Sequence, residues 1–179
     1  MTAPLRPAVD LLVQYARFHR DRRNILMHFV GVPMIVLALA VLLSRPGFAI
    51  AGLPLSPAWV ALLPLASWYL ARGGLRLGLA VNAGIGLLVA LAHGLPAGGI
   101  GSWLAWGLGL LALGWSIQFV GHYYEGRKPA FLDDLGTLPV GPMFVTLEML
   151  APLGLFKSLA AEVERRAGPT VLRNLAHPA

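Results

Sequence analysis

Five histidines are the side chains of this sequence best suited to metal or acid–base chemistry, since the chain contains no cysteine. The lack of cysteine excludes disulfides, thiolate-bound zinc, iron–sulfur clusters and thiol catalysis. Neutral imidazole is the commonest metal ligand in proteins, and a neighbouring carboxylate often completes or orients the ligand set. Whether these histidines can act together depends on the elements that carry them, at positions His19, His28, His93, His122 and His177.

The composition indicates that those elements lie in a membrane. Hydrophobic residues make up 57% of the 179 residues and charged residues only 12%, and the mean hydropathy is +0.70. Soluble domains carry roughly 25% charged residues, so a soluble globule of this size could not cover its surface with so few. This excludes a soluble enzyme, a disordered chain and a nucleic-acid-binding protein, despite the net charge of +6.

Four apolar runs are long enough to cross a bilayer, whose hydrocarbon core needs ~20 helical residues. The first is expected to be a retained transmembrane helix rather than a cleaved signal, because a long polar stretch precedes it. The predicted spans are residues 25–43, 53–71, 77–93 and 100–123.

Three further segments complete the predicted organisation. Residues 1–24 form an amphipathic N-terminal segment and residues 157–179 a polar tail. Residues 138–156 are apolar but hold three prolines and Glu148, so we expect a re-entrant or interfacial segment rather than a full crossing. The predicted fold class is all-α, a polytopic membrane helical bundle that forms one domain over residues 1–179.

The distribution of positive charge orients this bundle. With the N-terminus in the cytoplasm, four spans place thirteen of the fourteen Lys and Arg residues inside and leave Arg45 alone outside, as expected for cytoplasmic loops. A full crossing by residues 138–156 would move the four cations of the tail outside and weaken the bias to nine against five. We therefore favour four spans with both termini in the cytoplasm.

This topology sorts the histidines. His19, His28 and His122 fall at the cytoplasmic face, whereas His93 ends the third span at the opposite face, ~30 Å away by bilayer thickness. His177 lies near the chain terminus, where order is least expected. Three imidazoles at one membrane face would suit a borderline metal such as Fe(II), Zn(II) or Mn(II).

Spacing adds a condition to that cluster. Nine residues turn a straight helix by about 900°, which puts His19 and His28 on opposite faces, so the chain must bend between them, in the polar run 20–24. Asn24 shares a face with His28, and Glu125 shares one with His122 if the helix continues that far.

A carboxylate could complete the ligand set. Glu125 is the nearest acid in sequence to His122, and Glu148 is the second candidate, because an ionisable residue in an apolar run is costly and usually functional.

Other classes of protein compete with a mononuclear metal enzyme. Membrane di-iron hydroxylases and desaturases need more histidines, in paired clusters that this sequence lacks. A haem protein could use His28 and His122 as axial ligands. A lipid-binding or scaffold membrane protein without enzymatic activity should tolerate loss of the histidines.

Two motif blocks together are specific for one family. They are His19-x4-Asn24-x3-His28 and Gly121-His122-x2-Glu125-x3-Pro129-Ala130, the second preceded by Gln118 and followed by a third block over residues 141–148. In these blocks the chain resembles the 2-hydroxy fatty acid dioxygenase family.

The resemblance implies an Fe(II)-dependent dioxygenase that uses O2 to convert a long-chain 2-hydroxy fatty acid into a fatty acid one carbon shorter. It implies His19, His28 and His122 as the iron ligands. The predicted catalytic residues are these three histidines and Glu125. The residues expected to bind substrate or support the ligands are Asn24, Gln118, Arg127 and Glu148.

Two further expectations concern the substrate head and the location of the enzyme. Arg127 is the preferred partner for the substrate carboxylate, since a planar guanidinium suits a carboxylate. Membrane lipid is the expected surrounding of the acyl tail. Abundant Arg, Ala, Gly and Leu are typical of a GC-rich bacterial genome, which favours a bacterial inner membrane with both termini and the metal site at the cytoplasmic face.

Overall fold

The computed structural model describes residues 7–96, 98–129 and 134–174. It is mostly helical, with a short antiparallel hairpin between the first two long helices. The α-helices and strands in chain order are α1 (Ala8–Ala16), α2 (Arg22–Leu42), β1 (Phe48–Ile50), β2 (Leu53–Leu55), α3 (Pro57–Ala92), α4 (Ile100–Glu125), α5 (Val140–Leu150) and α6 (Lys157–Ala167).

Three helices in the described ranges are long and apolar enough to cross a membrane, namely α2, α3 and α4. The helix α5 has 11 residues, or about 16 Å at the rise of an α-helix, which is short of the ~30 Å hydrocarbon core. The apolar segment 138–156 thus contains a short helix followed by turns at 151–156, and not a membrane-length helix.

The 36-residue helix α3 is bent back on itself at Gly74, whose backbone lies at φ 66° and ψ −179°. This conformation is open to glycine because glycine has no Cβ. The two arms pack closely: Asn82 Nδ2 donates to the Ala66 carbonyl at 3.2 Å, and a Cβ on Gly78 would lie 2.8 Å from the Tyr69 carbonyl oxygen. The predicted spans 53–71 and 77–93 correspond to these arms, and a count of four crossings stays a prediction.

The start of α3 differs from the predicted span. Leu53–Leu55 is a strand paired with Phe48–Ile50, and the helix begins at Pro57 after an extended Ser56. Proline favours the first helical position because its missing N–H would be unpaired there in any case. The all-α prediction therefore needs one correction, which is this short and mostly exposed β-hairpin. The sequence pattern gave no sign of it.

Glycines bring α2 and α4 together as antiparallel neighbours. Gly107, Gly114 and Gly121 recur every seven residues on one face of α4. A Cβ on Gly107 would clash with Leu42, and one on Gly114 would lie 2.7 Å from Ile35 Cγ1. Small residues that allow close backbone approach are the usual interface of membrane helices, and this contact holds the N-terminal end of α2 beside the C-terminal end of α4.

The three short helices pack against that same end of the bundle. Helices α1 and α5 bury Leu12, Phe144 and Leu147 against one another and the long helices, and α6 adds Val163. The amphipathic N-terminal segment therefore packs into the protein through α1.

Candidate metal centre

Three histidines from separate segments meet in the interior. His19, His28 and His122 are 1%, 2% and 6% exposed, and one nitrogen of each lies within 4.8 Å of the others. The ring centroids are 4.3 Å apart for His19 and His28, 5.0 Å for His19 and His122, and 5.3 Å for His28 and His122. The cluster predicted from topology is thus present as one buried site that could hold a metal ion.

The bend required between His19 and His28 lies just before α2. His19 follows α1 in a short connection, and α2 begins at Arg22 with Asp21 as its N-cap, whose side chain accepts a hydrogen bond from the Arg23 amide. Such a cap satisfies an otherwise unpaired amide of the first turn. His122 reaches the site from the last turn of α4, which ends at Gly126 in the left-handed conformation.

Hydrogen bonds fix the ring tautomers of two histidines. His19 Nδ1 lies 2.7 Å from the Tyr15 carbonyl oxygen and His28 Nδ1 lies 2.9 Å from the Asn24 carbonyl oxygen. A carbonyl only accepts, so each Nδ1 carries the proton and each Nε2 keeps its lone pair. Both rings therefore present the nitrogen that a metal ion would use.

Unpaired buried nitrogens support a metal ion as the missing partner. His19 Nε2 and His122 Nδ1 have no hydrogen-bond partner among the described residues, although both atoms are buried. Burial, followed by the nearby His28, holds the pKa of His19 well below its usual range, so this imidazole is neutral and able to ligate. Buried polar atoms without partners are rare in proteins and call for an explanation, and the donor set fits a divalent metal.

Glu125 lies beside the cluster as a junction between its segments. Its Oε2 accepts from the amides of Arg20 and Asp21 at 2.9 and 2.8 Å and from Asn24 Nδ2 at 3.2 Å. Its Oε1 accepts from Arg173 Nη2 at 2.9 Å. The carboxylate therefore joins the segment after His19, the first turn of α2 and the end of α4, and its oxygens are engaged there.

Gln118 lies one turn before His122 and is 4% exposed. Neither its Nε2 nor its Oε1 has a hydrogen-bond partner among the described residues. Gly31 of α2 leaves room for this amide, since a Cβ there would lie 2.7 Å from Gln118 Nε2. Gln118 thus offers one donor group and one acceptor within the same cavity as the histidines.

That cavity has a volume of about 370 Å³ and is mostly apolar. The three histidines and Gln118 form its polar end, and its walls follow α2 as far as Leu39 and α4 as far as Leu111. The eleven residues from His28 to Leu39 correspond to ~16 Å along a helix. A polar head and an extended apolar tail would fit this space.

Arg127 and Glu148, two of the predicted site residues, do not line the histidine cavity. Arg127 is exposed and lines a second groove of about 500 Å³, which His122 also borders. Glu148 is absent from the lining of the histidine cavity. Burial raises the pKa of Glu148, and the charge of Arg20 opposes that rise.

Aromatic residues around the cluster were not singled out by the sequence. The Tyr15 ring stacks on His19 at 4.1 Å with 6° between the planes, and Phe144 lies 5.7 Å from His19. The spacing of four between Tyr15 and His19 on a helical segment is a signal that could have paired them. Phe144 lies in the third motif block, but its contact with the site depends on how α5 packs.

The fold and the site define a class of protein, a small bundle of membrane-length helices with a buried three-histidine site facing an apolar cavity. The family model described as 2-hydroxy-palmitic acid dioxygenase Mpo1-like matches residues 5–153, and the chain belongs to this family. The 2-hydroxy-palmitic acid dioxygenase MPO1 of Saccharomyces cerevisiae is 31% identical over 154 residues, covering 84% of this chain and 83% of the yeast protein. The resemblance drawn from the motif blocks is confirmed. No solved structure matches the chain.

Proposed function

We propose that the protein is an iron-dependent dioxygenase that converts long-chain 2-hydroxy fatty acids into fatty acids one carbon shorter with O2. The observation that carries the proposal is the buried histidine cluster at the polar end of an apolar cavity. The name of the yeast relative, a 2-hydroxy-palmitic acid dioxygenase, supports the same chemistry.

The proposed reaction is balanced without a further reductant. If C1 leaves as carbon dioxide, cleavage between C1 and C2 and oxidation of C2 to a carboxylate remove four electrons from the substrate. One O2 accepts four electrons, and the remaining product is water. This balance suits a protein in which no second redox cofactor is implied by the described residues.

His19, His28 and His122 are proposed to hold Fe(II), since one nitrogen of each lies within 4.8 Å of the others and the buried His19 Nε2 and His122 Nδ1 have no hydrogen-bond partner among the described residues. When bound, Fe(II) supplies Lewis acidity toward the hydroxyl and carboxylate of the substrate and redox chemistry toward O2. The protein itself contributes a mostly apolar cavity for the acyl tail. The lining from Val32 to Leu39 would exclude water along that tail.

Gln118 and Arg127 are proposed to act on the substrate head at successive stages. Arg127 borders the outer groove that reaches His122, so its positive charge would attract the carboxylate from the membrane surface. The amide of Gln118 lies inside the cavity without a partner, so it would hydrogen-bond the head once the substrate is bound.

Glu125 and Asn24 are proposed to position the ligands. Within the described ranges, the hydrogen-bond partners of the Glu125 carboxylate are N–H donors, which favours a supporting role over that of a fourth ligand. Glu148 is proposed as part of the charge balance around Arg20 and not as a ligand, because it is absent from the cavity lining.

We also propose four crossings with both termini and the metal centre at the cytoplasmic face of a bacterial inner membrane. The support is the reversal at Gly74 and the charge distribution, in which Arg45 is the one Lys or Arg on the outer side of that topology. A reporter fused after Ala179 should be active in the cytoplasm, and activity on the far side would contradict the proposed topology.

Metal removal and reconstitution test the reaction. The full chain is purified in detergent, stripped with a chelator, and assayed with 2-hydroxypalmitate under air before and after addition of Fe(II) or, as control, Zn(II). We expect turnover to be lost on stripping and restored by Fe(II) alone, with one O2 consumed for each shortened fatty acid. Undiminished turnover after complete metal removal would contradict iron dependence, and a Soret band would point to haem.

A further inference from the structure

Residues 168–174, here called the C-terminal strap, lie along the segment that carries His19. The Val171 amide donates to the Arg20 carbonyl at 2.8 Å, and the Arg22 amide donates to the Val171 carbonyl at 2.9 Å, which makes a parallel bridge at Asp21. The strap lies outside residues 5–153, the range matched by the family model.

Side chains reinforce this pairing on both sides of Asp21. Arg20 Nη1 donates to the Gly168 carbonyl at 2.8 Å, and Arg23 Nη2 donates to the Arg173 carbonyl at 2.8 Å. The Arg173 amide in turn donates to Asp21 Oδ2 at 2.8 Å. The strap is thus joined to residues 20–23 by five hydrogen bonds, two between backbone groups and three that involve a side chain.

The strap also reaches the junction of the metal centre. Arg173 forms an ion pair with Glu125 at 2.9 Å, and the Glu125 side chain is fully buried. The other contacts of Glu125 come from neutral N–H groups of the segment next to His19 and from Asn24, so Arg173 brings a formal positive charge to that carboxylate. A buried carboxylate depends strongly on such a partner.

We propose that the C-terminal strap is a positioning element of the metal centre and that Arg173 is the residue through which it acts. Arg173 stabilises Glu125, Glu125 holds the amides of Arg20 and Asp21, and those amides fix the chain directly after His19. The inference rests on the proposed metal centre, but not on the identity of the substrate. Partners that orient metal ligands typically change metal affinity 10–100-fold when removed.

The test compares Co(II) binding by the full-length chain with the variants Arg173→Ala, Arg173→Lys and Arg165→Ala. Arg165 pairs with Glu162 on the exposed side of α6 and serves as the matched control. We expect the Co(II) Kd to rise ~10–100-fold in Arg173→Ala, to recover in part in Arg173→Lys, and to stay unchanged in Arg165→Ala. The Co(II) d–d absorption should also change in Arg173→Ala, since a loosened His19 alters the ligand set.

Amide hydrogen exchange of the metal-free protein tests the role of the strap separately from the existence of the metal centre. Exchange in the peptide that contains Arg20 and Asp21 should speed up in Arg173→Ala and remain as in the wild type in Arg165→Ala. Wild-type chain that binds no Co(II) would contradict the metal centre itself. Wild-type Co(II) affinity and wild-type exchange in a folded Arg173→Ala variant would overturn the role of the strap.

Discussion

The two ends of the bundle use histidine in the same local way and reach opposite results. At the far end, His93 Nδ1 donates to the Val89 carbonyl four residues earlier at 2.7 Å, as His19 and His28 do with their own helical carbonyls. There, however, His93 Nε2 accepts from Ser56 Oγ at 2.9 Å. A hydrogen bond from Nδ1 to a helical carbonyl is therefore not enough to make a histidine part of a metal site.

What distinguishes the two ends is the partner of the second nitrogen. His93 is exposed, stacks on Trp59, and joins the start of α3 to its end through Ser56. His19 Nε2 is buried with no partner among the described residues. The far end is a fully paired structural contact, whereas the near end keeps buried nitrogens available at one point.

The largest effects on bound iron and turnover should come from substitution of the near-end histidines, which are His19, His28 and His122. We expect His19→Ala, His28→Ala and His122→Ala each to lose bound iron and turnover of 2-hydroxypalmitate, because two imidazoles cannot replace the set of three. His93→Ala should keep the iron content and turnover of the wild type. Both are measured on purified chain, by elemental analysis and by product formation. Equal loss in His93→Ala, or iron retained in all three near-end variants, would remove the distinction between the ends.

Removal of Glu125 should destabilise the near end as a whole. In Glu125→Ala the guanidinium of Arg173 and the amides of Arg20 and Asp21 lose their acceptor, and breaking a buried ion pair costs about 3–5 kcal/mol of unfolding free energy. Chemical or thermal unfolding in detergent would record the change, with Glu162→Ala on the surface of α6 as control. A cost equal to that of the control would mean that Glu125 is not the junction described above.

The grouping of His19, His28 and His122 could be predicted from sequence because it follows from span lengths and charge bias, which are one-dimensional properties. The need for a bend before His28 followed from helix geometry alone. The role of Glu125 could not be predicted, since its carboxylate binds backbone amides more than one hundred residues away. Arg173 enters the sequence analysis only as one of the four cations of the tail, because its contact with Glu125 depends on where the tail folds.

The close contact between α2 and α4 could also have been predicted from the sequence. The seven-residue repeat of Gly107, Gly114 and Gly121 predicts a close helix contact, and these glycines form the interface with α2. Ala80 and Gly84 also form a small-residue pair, four residues apart on one face of α3, but nothing lies within 4 Å of a Cβ placed on Gly84. A repeat sustained over three turns or more is thus a better indicator of helix packing here than a single small-residue pair.

A substitution at the apolar end of the cavity should have an effect of intermediate magnitude, on the preference for substrate chain length. Leu111 lines its apolar end, whereas Leu113 on the same helix is 59% exposed. Leu111→Trp should reduce kcat/KM for long-chain 2-hydroxy acids ~10–200-fold relative to shorter ones, the range that a hydrophobic pocket achieves by changes in fit. Leu113→Trp should keep the wild-type order of chain lengths. The same shift in both variants would place the acyl tail outside this cavity.

The smallest expected effect concerns the far end, where Ser56→Ala removes one hydrogen bond from His93. Ser56 is 1% exposed, and loss of a neutral hydrogen bond typically costs about 0.5–1.5 kcal/mol of stability. His93 is exposed, so water can replace the lost donor, and the cost should fall at the low end of that range. Thermal unfolding should therefore shift only slightly, while the Co(II) Kd and turnover stay at wild-type values. A change in Co(II) affinity would mean that the two ends are coupled through α3, since Tyr69 on the same helix donates to the Pro139 carbonyl at 2.8 Å at the near end.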